Sequence, residues 1–323
     1  MKAIVHTKYG PPEVLALRDV ENPRLSENEV LVKIHAASIN FGDKALVKGE
    51  PFLVRLMGYG LLKPKHAIPG GDMAGRVEAV GRNVKQFQPG DEVFADIGGC
   101  GFGAFAEYVA VPEDVLVLKP ANVTFEEAAS VPQAAVVALQ GLRDKGQIQP
   151  GQKVLINGAS GGVGTFAVQI ARAVGAEVTA VCSTKNLDLG SSIGADHVID
   201  YTEEDFTKGT QSYDLIFDIV ANRSVSDYMQ VLTPQGNYVA CAFNATSLFL
   251  GPFISKKGGK KASSLVHKPN RKDLVFMKAL LESGQVVAVI DRCFPLSEVA
   301  EGMRWLENGR HHGKVVITMQ KKS

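Results

Sequence analysis

The chain is short of the residues that would narrow its chemistry fastest. Only four cysteines occur in 323 residues. They stand far apart, at Cys100, Cys182, Cys241 and Cys293, with no C-x-x-C pair among them. That spacing argues against a zinc ribbon and a dithiol redox motif, and free thiols suit a reducing compartment. Charge of one sign is also lacking: 35 Lys+Arg face 34 Asp+Glu, a formal net of +1. The balance favours neither nucleic acid nor an acidic partner. No uninterrupted apolar run approaches the length of a membrane span, and the opening MKAIVHTKYG turns polar without a signal peptide's apolar core. These absences lead to the expectation of a cytoplasmic protein with no integral membrane segment.

Glycine is present in quantity, 33 residues, and one stretch uses it tellingly. Lys153–Asn157 is an apolar run of the kind buried on both faces of a parallel sheet. Gly158, Gly161, Gly162 and Gly164 follow, and then apolar residues recur at Val163, Phe166, Ala167, Ile170, Ala171 and Val174. That spacing is one face of a helix, with Gly175 where a helix stop belongs. Strand, glycine turn and helix in this order make a dinucleotide site, because a pyrophosphate must approach backbone N–H groups at the helix's positive end. The register is Ala159-x-Gly161-x-x-Gly164, with Ala where the strict fingerprint has its first Gly. Ser160, Gly161, Gly162, Val163 and Gly164 are the expected cofactor contacts.

The second strand of that unit, Glu177–Cys182, ends in Ser183-Thr184-Lys185-Asn186, and no carboxylate appears until Asp188. Folds that prefer NAD place an acid there for the ribose 2′-hydroxyl. A hydroxyl at Ser183 and an ammonium at Lys185 suit a 2′-phosphate instead, so the expected cofactor is NADPH.

Length favours two domains. Up to about Asn122, short β-like runs (Glu29–His35, Ala74–Val80, Asp91–Asp96, Ala106–Val111) are broken by Gly and Pro. Thr124–Leu142 reads as helical, with a capping box from Thr124 to Glu127 and a division at Pro132. From Gly151, strands at 153–157, 177–182, 197–199, 213–219 and 236–241 alternate with helices, which implies a doubly wound parallel sheet. A helix (Arg271–Ser283), a strand (Ile290–Phe294), a helix (Ser297–Asn308) and a strand (Lys314–Met319) close the chain.

At this point the sequence resembles the medium-chain dehydrogenase/reductase superfamily, and within it the zinc-free, zeta-crystallin-like quinone oxidoreductases. The resemblance is carried by VLVKIHAASINFGD at 30–43, IPGGDMAGRVEAVG at 68–81, FQPGDEVFA at 87–95 and GAFAEYVAV at 103–111. NGASGGVG, GADHVIDY at 194–201 and GKVVI at 313–317 continue it. It implies an α/β protein with a GroES-like β-rich catalytic domain at 1–122 and 267–323 and a Rossmann NADP-binding domain at 123–266. It implies a homodimer as well.

The departures matter as much. Where the zinc-dependent branch has its catalytic ligands, this chain has Asn40, Gly71 and Gln133, and only Cys100 stands for the structural zinc loop. No zinc is expected. Without a Lewis acid, quinones and activated alkenes are the natural acceptors, since conjugation spreads the charge that arrives with hydride. The resemblance places Asn40 and Asp43 nearest the acceptor, Asn40 as a donor to the developing oxyanion and Asp43 ordering the loop. The tyrosine that some relatives carry after this motif is matched by Ala45 or Pro51, which argues against an enoyl-thioester reductase using it. Tyr59, in Gly58-Tyr59-Gly60, is the alternative catalytic candidate.

Tyr201 is expected near the adenosine end, Val220 and Ala221 beside the dinucleotide, and Asn244 on the nicotinamide side. The expected activity is therefore zinc-independent, NADPH-dependent reduction of quinones or α,β-unsaturated carbonyls. A zinc-free alcohol or enoyl-thioester reductase stands as the alternative within enzymes. Outside them stands a non-catalytic NADPH-binding protein that uses the basic stretch 256–272 on RNA or a membrane. That stretch lacks interleaved aromatics, which weakens the RNA version.

Overall fold

The computed structural model describes residues 1–52, 54–241, 259–309 and 311–319. Fifteen strands are described in chain order. The first seven are β1 (Lys2–Val5), β2 (Ala16–Asp19), β3 (Glu29–Ile39), β4 (Asp72–Val80), β5 (Glu92–Asp96), β6 (Tyr108–Pro112) and β7 (Val117–Leu118). Then come β8 (Lys153–Asn157), β9 (Glu177–Cys182), β10 (His197–Asp200), β11 (Tyr213–Asp218), β12 (Leu232–Ala240) and β13 (Lys261–Ser264). β14 (Ile290–Pro295) and β15 (Lys314–Thr318) end the series. The helices used below are α1 (Phe41–Lys48), α2 (Phe125–Ser130), α3 (Pro132–Leu139) and α4 (Gly162–Val174).

The chain divides into two compact units, 1–133 with 269–282 and 288–323, and 134–268 with 283–287. The first is built on β3, whose apolar residues alternate so that Val30, Val32 and Ile34 enter the core. β3 runs on past the expected end at His35, because Ala36–Ile39 pairs with β4 on one side and β15 on the other. The sheet order is β14-β15-β3-β4-β5-β7, with β6 also pairing β3. The C-terminal strands therefore complete a sheet that the N-terminal strands begin.

Residues 123–133, expected in the nucleotide domain, cluster with this first unit instead. The reason is packing: α2 lies against β3, β4 and β15. Its capping box forms as read, with Thr124 Oγ1 accepting from the Glu127 N–H (3.1 Å) and Glu127 accepting from the Thr124 N–H (2.7 Å). Pro132 opens a separate helix, α3.

The second unit holds one parallel sheet in the order β10-β9-β8-β11-β12-β13. This is the doubly wound order, with the topological switch between β8 and β11. β8 is buried at Val154, Leu155 and Ile156. α4 buries Phe166, Ala167, Ile170 and Ala171 and stops at Gly175, which has φ 88°. β12 starts at Leu232 rather than at 236, because its register with β11 shifts between Tyr213 and Leu215 and tolerates Pro234 there.

Candidate functional site

The second unit gathers polar groups where β8, β9 and β11 end. After Asn157 the chain turns at Gly158 (φ 88°), a conformation that favours glycine. A Cβ there would meet Val220 at 2.6 Å. The tight-turn role thus belongs to Gly158, and Ala159, at the fingerprint's first position, is fully buried. Gly161 and Gly164 have different jobs. A Cβ on Gly164 would lie 2.1 Å from the Gly158 carbonyl oxygen, so this glycine lets helix and strand pack. A Cβ on Gly161 would meet only that oxygen, at 3.5 Å. It would stand in open space before the first turn of α4, whose N–H groups have no side-chain cap. Gly162 and Val163 belong to that same first turn. The geometry fits a dinucleotide pyrophosphate.

Asn186 joins the turn to the end of β9. Its Nδ2 donates to Ser160 Oγ (3.0 Å) and to Ser183 Oγ (3.3 Å). Lys185 is exposed beside them. The Tyr201 N–H donates to the Cys182 carbonyl (3.1 Å), which holds the half-exposed tyrosine over the same strand end. Asp200 is engaged by Thr202, whose N–H (2.9 Å) and Oγ1 (2.7 Å) both donate to it.

On the β11 side, buried Asp218 accepts from Asn157 Nδ2 (2.9 Å), Tyr238 Oη (2.8 Å) and the N–H groups of Val220 (3.2 Å) and Ala221 (2.9 Å). Ala221 is held at φ 54°. Tyr228 and Tyr238 stack at 4.8 Å beneath it, and burial beside Asp218 raises both phenols. Asn157, Asn186, Tyr228 and Tyr238 escape a reading of sequence, because each takes its meaning from a partner on another strand. Asn244, Lys256 and Lys257 lie outside the described residues. Within the basic stretch, Lys260 donates to the Met229 carbonyl (2.6 Å) and Arg271 to Gln86 (2.6 Å).

The first unit brings Asn40 and Asp43 together at the start of α1. Asp43 accepts from the Asn40 N–H (2.8 Å) and the Gly71 N–H (3.0 Å), so it ties two loops. Asn40 Nδ2 donates to Asp72 Oδ2 (2.9 Å), and buried Lys314 donates to Asn40 Oδ1. Asp72 also accepts from Ser38 Oγ (3.2 Å) and, at 3.1 Å, from the Gln133 N–H in the first turn of α3. Burial pushes Asp43 up to about 7. Burial and the neighbouring Asp72 charge push Asp96 up to about 8. Burial likewise lowers Lys314, against the pull of the three acids. Tyr59 sits elsewhere, in a small cleft with His6, Tyr9, His66 and Phe102. No hydrogen bond or ring contact among the described residues joins it to Asn40 or Asp43.

Comparison with known proteins identifies the family. Residues 26–121 match the alcohol dehydrogenase GroES-like domain, and residues 193–317 match the family described as zinc-binding dehydrogenase. A 2-methylene-furan-3-one reductase of Solanum lycopersicum is 36% identical over 98% of this chain and 79% of its own length. An NADPH-dependent alkenal/one oxidoreductase, chloroplastic, of Arabidopsis thaliana is 33% identical over the same shares. The solved quinone oxidoreductase from Coxiella burnetii superposes with a TM-score of 0.89 at 30% identity, covering 99% of both chains. The chain belongs to the medium-chain dehydrogenase/reductase superfamily, in its quinone oxidoreductase branch.

Within this superfamily the zinc question turns on donor chemistry. Asn40 has its amide oxygen taken by an ammonium and one amide hydrogen taken by Asp72. Gly71 offers no side chain, and Gln133 offers a neutral amide. Lys314, packed against Asn40 and 4.0 Å from Asp72, supplies the positive charge that a metal would bring. That donor set does not fit a zinc ion. Among the described residues, no group of three or more His, Cys, Asp or Glu is arranged to hold a metal. No helix among them is long and apolar enough to cross a membrane.

Proposed function

We propose that this medium-chain reductase is a zinc-independent enzyme that uses NADPH, rather than NADH, to reduce quinones and α,β-unsaturated carbonyls. The observation that carries the cofactor choice is the end of β9. Asn186 clamps Ser183 to Ser160 of the glycine turn, Lys185 is exposed alongside, and no acid stands where a free ribose hydroxyl needs one. The names of the tomato and Arabidopsis relatives support the acceptor class. A bound nicotinamide supplies a hydride, which is the only redox chemistry the reaction needs.

The chain's own residues bind, orient and handle charge. Gly162 and Val163, in the uncapped first turn of α4, present N–H groups to the pyrophosphate, and Gly161, whose own N–H donates to the Gly158 carbonyl (3.1 Å), leaves the space for it. Tyr201 and Val220 flank the dinucleotide, and Asn244 is assigned to its nicotinamide side. Asn40, fixed by Lys314 and Asp72, keeps one amide hydrogen to offer an acceptor oxygen as negative charge develops on it. Asp43 orders that loop, and with its carboxyl pushed up to about 7 it exchanges a proton in the neutral range. Tyr59 stands second to them, since its described hydrogen bonds and ring contacts are with Tyr9 and Phe102 rather than with Asn40 or Asp43. A cytoplasmic homodimer completes the reading, supported by free, well-separated cysteines that suit a reducing compartment and by the family resemblance.

The test is the initial rate of NADPH oxidation by chelator-treated protein given a naphthoquinone, with NADH run in parallel. Turnover that survives chelation and favours NADPH supports the proposal. A rate abolished by chelation and restored by zinc contradicts it.

A further inference from the structure

The four most exposed large apolar side chains among the described residues are Leu62 (89%), Phe41 (63%), Leu56 (61%) and Phe52 (58%). All fall between residues 41 and 62. Single exposed leucines need no explanation, but such a concentration marks a contact surface. The segment 51–67 contains no carboxylate, whereas it carries Arg55, Lys63 and Lys65.

The loop's geometry holds these groups outward. Tyr9 Oη donates to the carbonyls of Tyr59 (2.9 Å) and Gly60 (2.6 Å). The Lys65 N–H donates to the Tyr59 carbonyl (2.8 Å), and Gly60 makes the turn at φ 110°. The ends of the 60–65 loop are therefore tied together, and Leu61, Leu62 and Lys63 are exposed between them. Arg55 is anchored beside it, donating to the Gly49 carbonyl (2.9 Å) with its guanidinium 4.4 Å from the Tyr9 ring centre.

We propose that this loop docks the protein on an anionic lipid surface, with Leu61, Leu62 and Leu56 entering the headgroup boundary and Lys63 and Lys65 facing lipid phosphates. Apolar side chains rimmed by cations are the pattern that interfacial binding requires, and exposed Glu50 lies before the 51–67 segment rather than within it. The same charges disfavour a second copy of this chain across a two-fold axis, which would set the lysines against one another. The inference goes beyond the reductase reading. Its sense is that quinones are apolar and partition into lipid.

The experiment is co-sedimentation of the full chain with vesicles of phosphatidylcholine alone or mixed with phosphatidylglycerol. The variants are Leu61→Ser with Leu62→Ser, and Lys63→Glu with Lys65→Glu, each checked for naphthoquinone turnover in solution. The expected result is binding to the anionic vesicles only, weakened roughly tenfold or more by charge reversal and also lost in the serine variant. Soluble turnover stays at the parent rate in both. Wild-type protein left in the supernatant overturns the proposal, and so does vesicle binding indifferent to both variants. Loss of soluble turnover in the well-folded serine variant also overturns it, since the leucines then serve the acceptor. Turnover without vesicle binding sinks this inference alone. Vesicle binding without turnover sinks the reductase reading alone.

Discussion

The glycine turn after β8 and the buried carboxylates beneath α1 are opposite solutions to handling charge. The turn is made of backbone: Gly158 turns the chain, Gly164 lets the helix close on the strand, and Gly161 leaves space. Its positive potential comes from N–H groups at a helix start, so it requires almost no side chains. The carboxylate cluster rests on side chains from residues 38–43, 72, 96 and 314, with the backbone N–H groups of Asn40, Gly71 and Gln133 donating to them. One site is contiguous in sequence, and the other exists only after β15 has paired with β3. A local site can be read from spacing, whereas a cluster assembled from distant segments cannot.

Substitutions that separate the two kinds of site sharpen this contrast. The largest effect is expected at Gly164→Val. The new Cβ would stand 2.1 Å from a backbone oxygen and 2.7 Å from Ala159. Relief requires moving α4 off β8, at a cost on the order of 3 kcal/mol or more. Thermal unfolding should show a large fall in Tm, or no folded protein at all.

Next in size is the pH dependence set by the cluster. Asp43 and Asp96 have folded-state values near 7 and 8, both raised above the unfolded range. The stability they contribute is therefore complete below about pH 4 and is lost as pH rises through 7 to 8. Denaturant midpoints measured from pH 5 to pH 9 should fall across this window. Asp96→Asn keeps an acceptor for the Gly98 N–H, now 2.8 Å from Asp96 Oδ1, and removes the ionisation. That variant should flatten the fall by on the order of a few kcal/mol. A midpoint that instead rises with pH in wild type, and is unchanged in the variant, contradicts the assignment.

How much of this was legible follows the same division. The doubly wound sheet, the capping box at Thr124 and the limits of α4 are local patterns, and they stand within a residue or two of their reading. The expected boundary at residue 122 missed because α2 is helical by local signal yet belongs to the β-rich unit by packing. Asp43 was legible as a loop organiser because it caps its own helix. Lys314 was not: GKVVI reads as a plain strand, and nothing in it says that its lysine is buried against Asn40. A tyrosine between glycines looks available in sequence, and nothing local says that its neighbours in the fold are Tyr9, His66 and Phe102.

A smaller effect is expected where the two readings of the cofactor part. Ser183→Ala combined with Lys185→Ala removes a hydroxyl and an ammonium from the end of β9. The ratio of kcat/KM for NADPH over NADH should drop by roughly tenfold to a hundredfold, the range for losing charge-assisted hydrogen bonds. Turnover with NADH should change little. An unchanged ratio would move 2′-phosphate recognition to other residues.

The most direct measurement is NADPH titration of Gly161→Val against wild type, followed by the cofactor's fluorescence, with thermal unfolding recorded on the same samples. At Gly161 an added Cβ meets only the Gly158 carbonyl oxygen, at 3.5 Å, whereas at Gly158 and Gly164 it collides with protein. The predicted result is a variant that unfolds within a few degrees of wild type yet binds NADPH at least roughly thirtyfold more weakly, through lost N–H contacts to the pyrophosphate. Equal affinity in a well-folded variant would mean that the dinucleotide is not held at the start of α4.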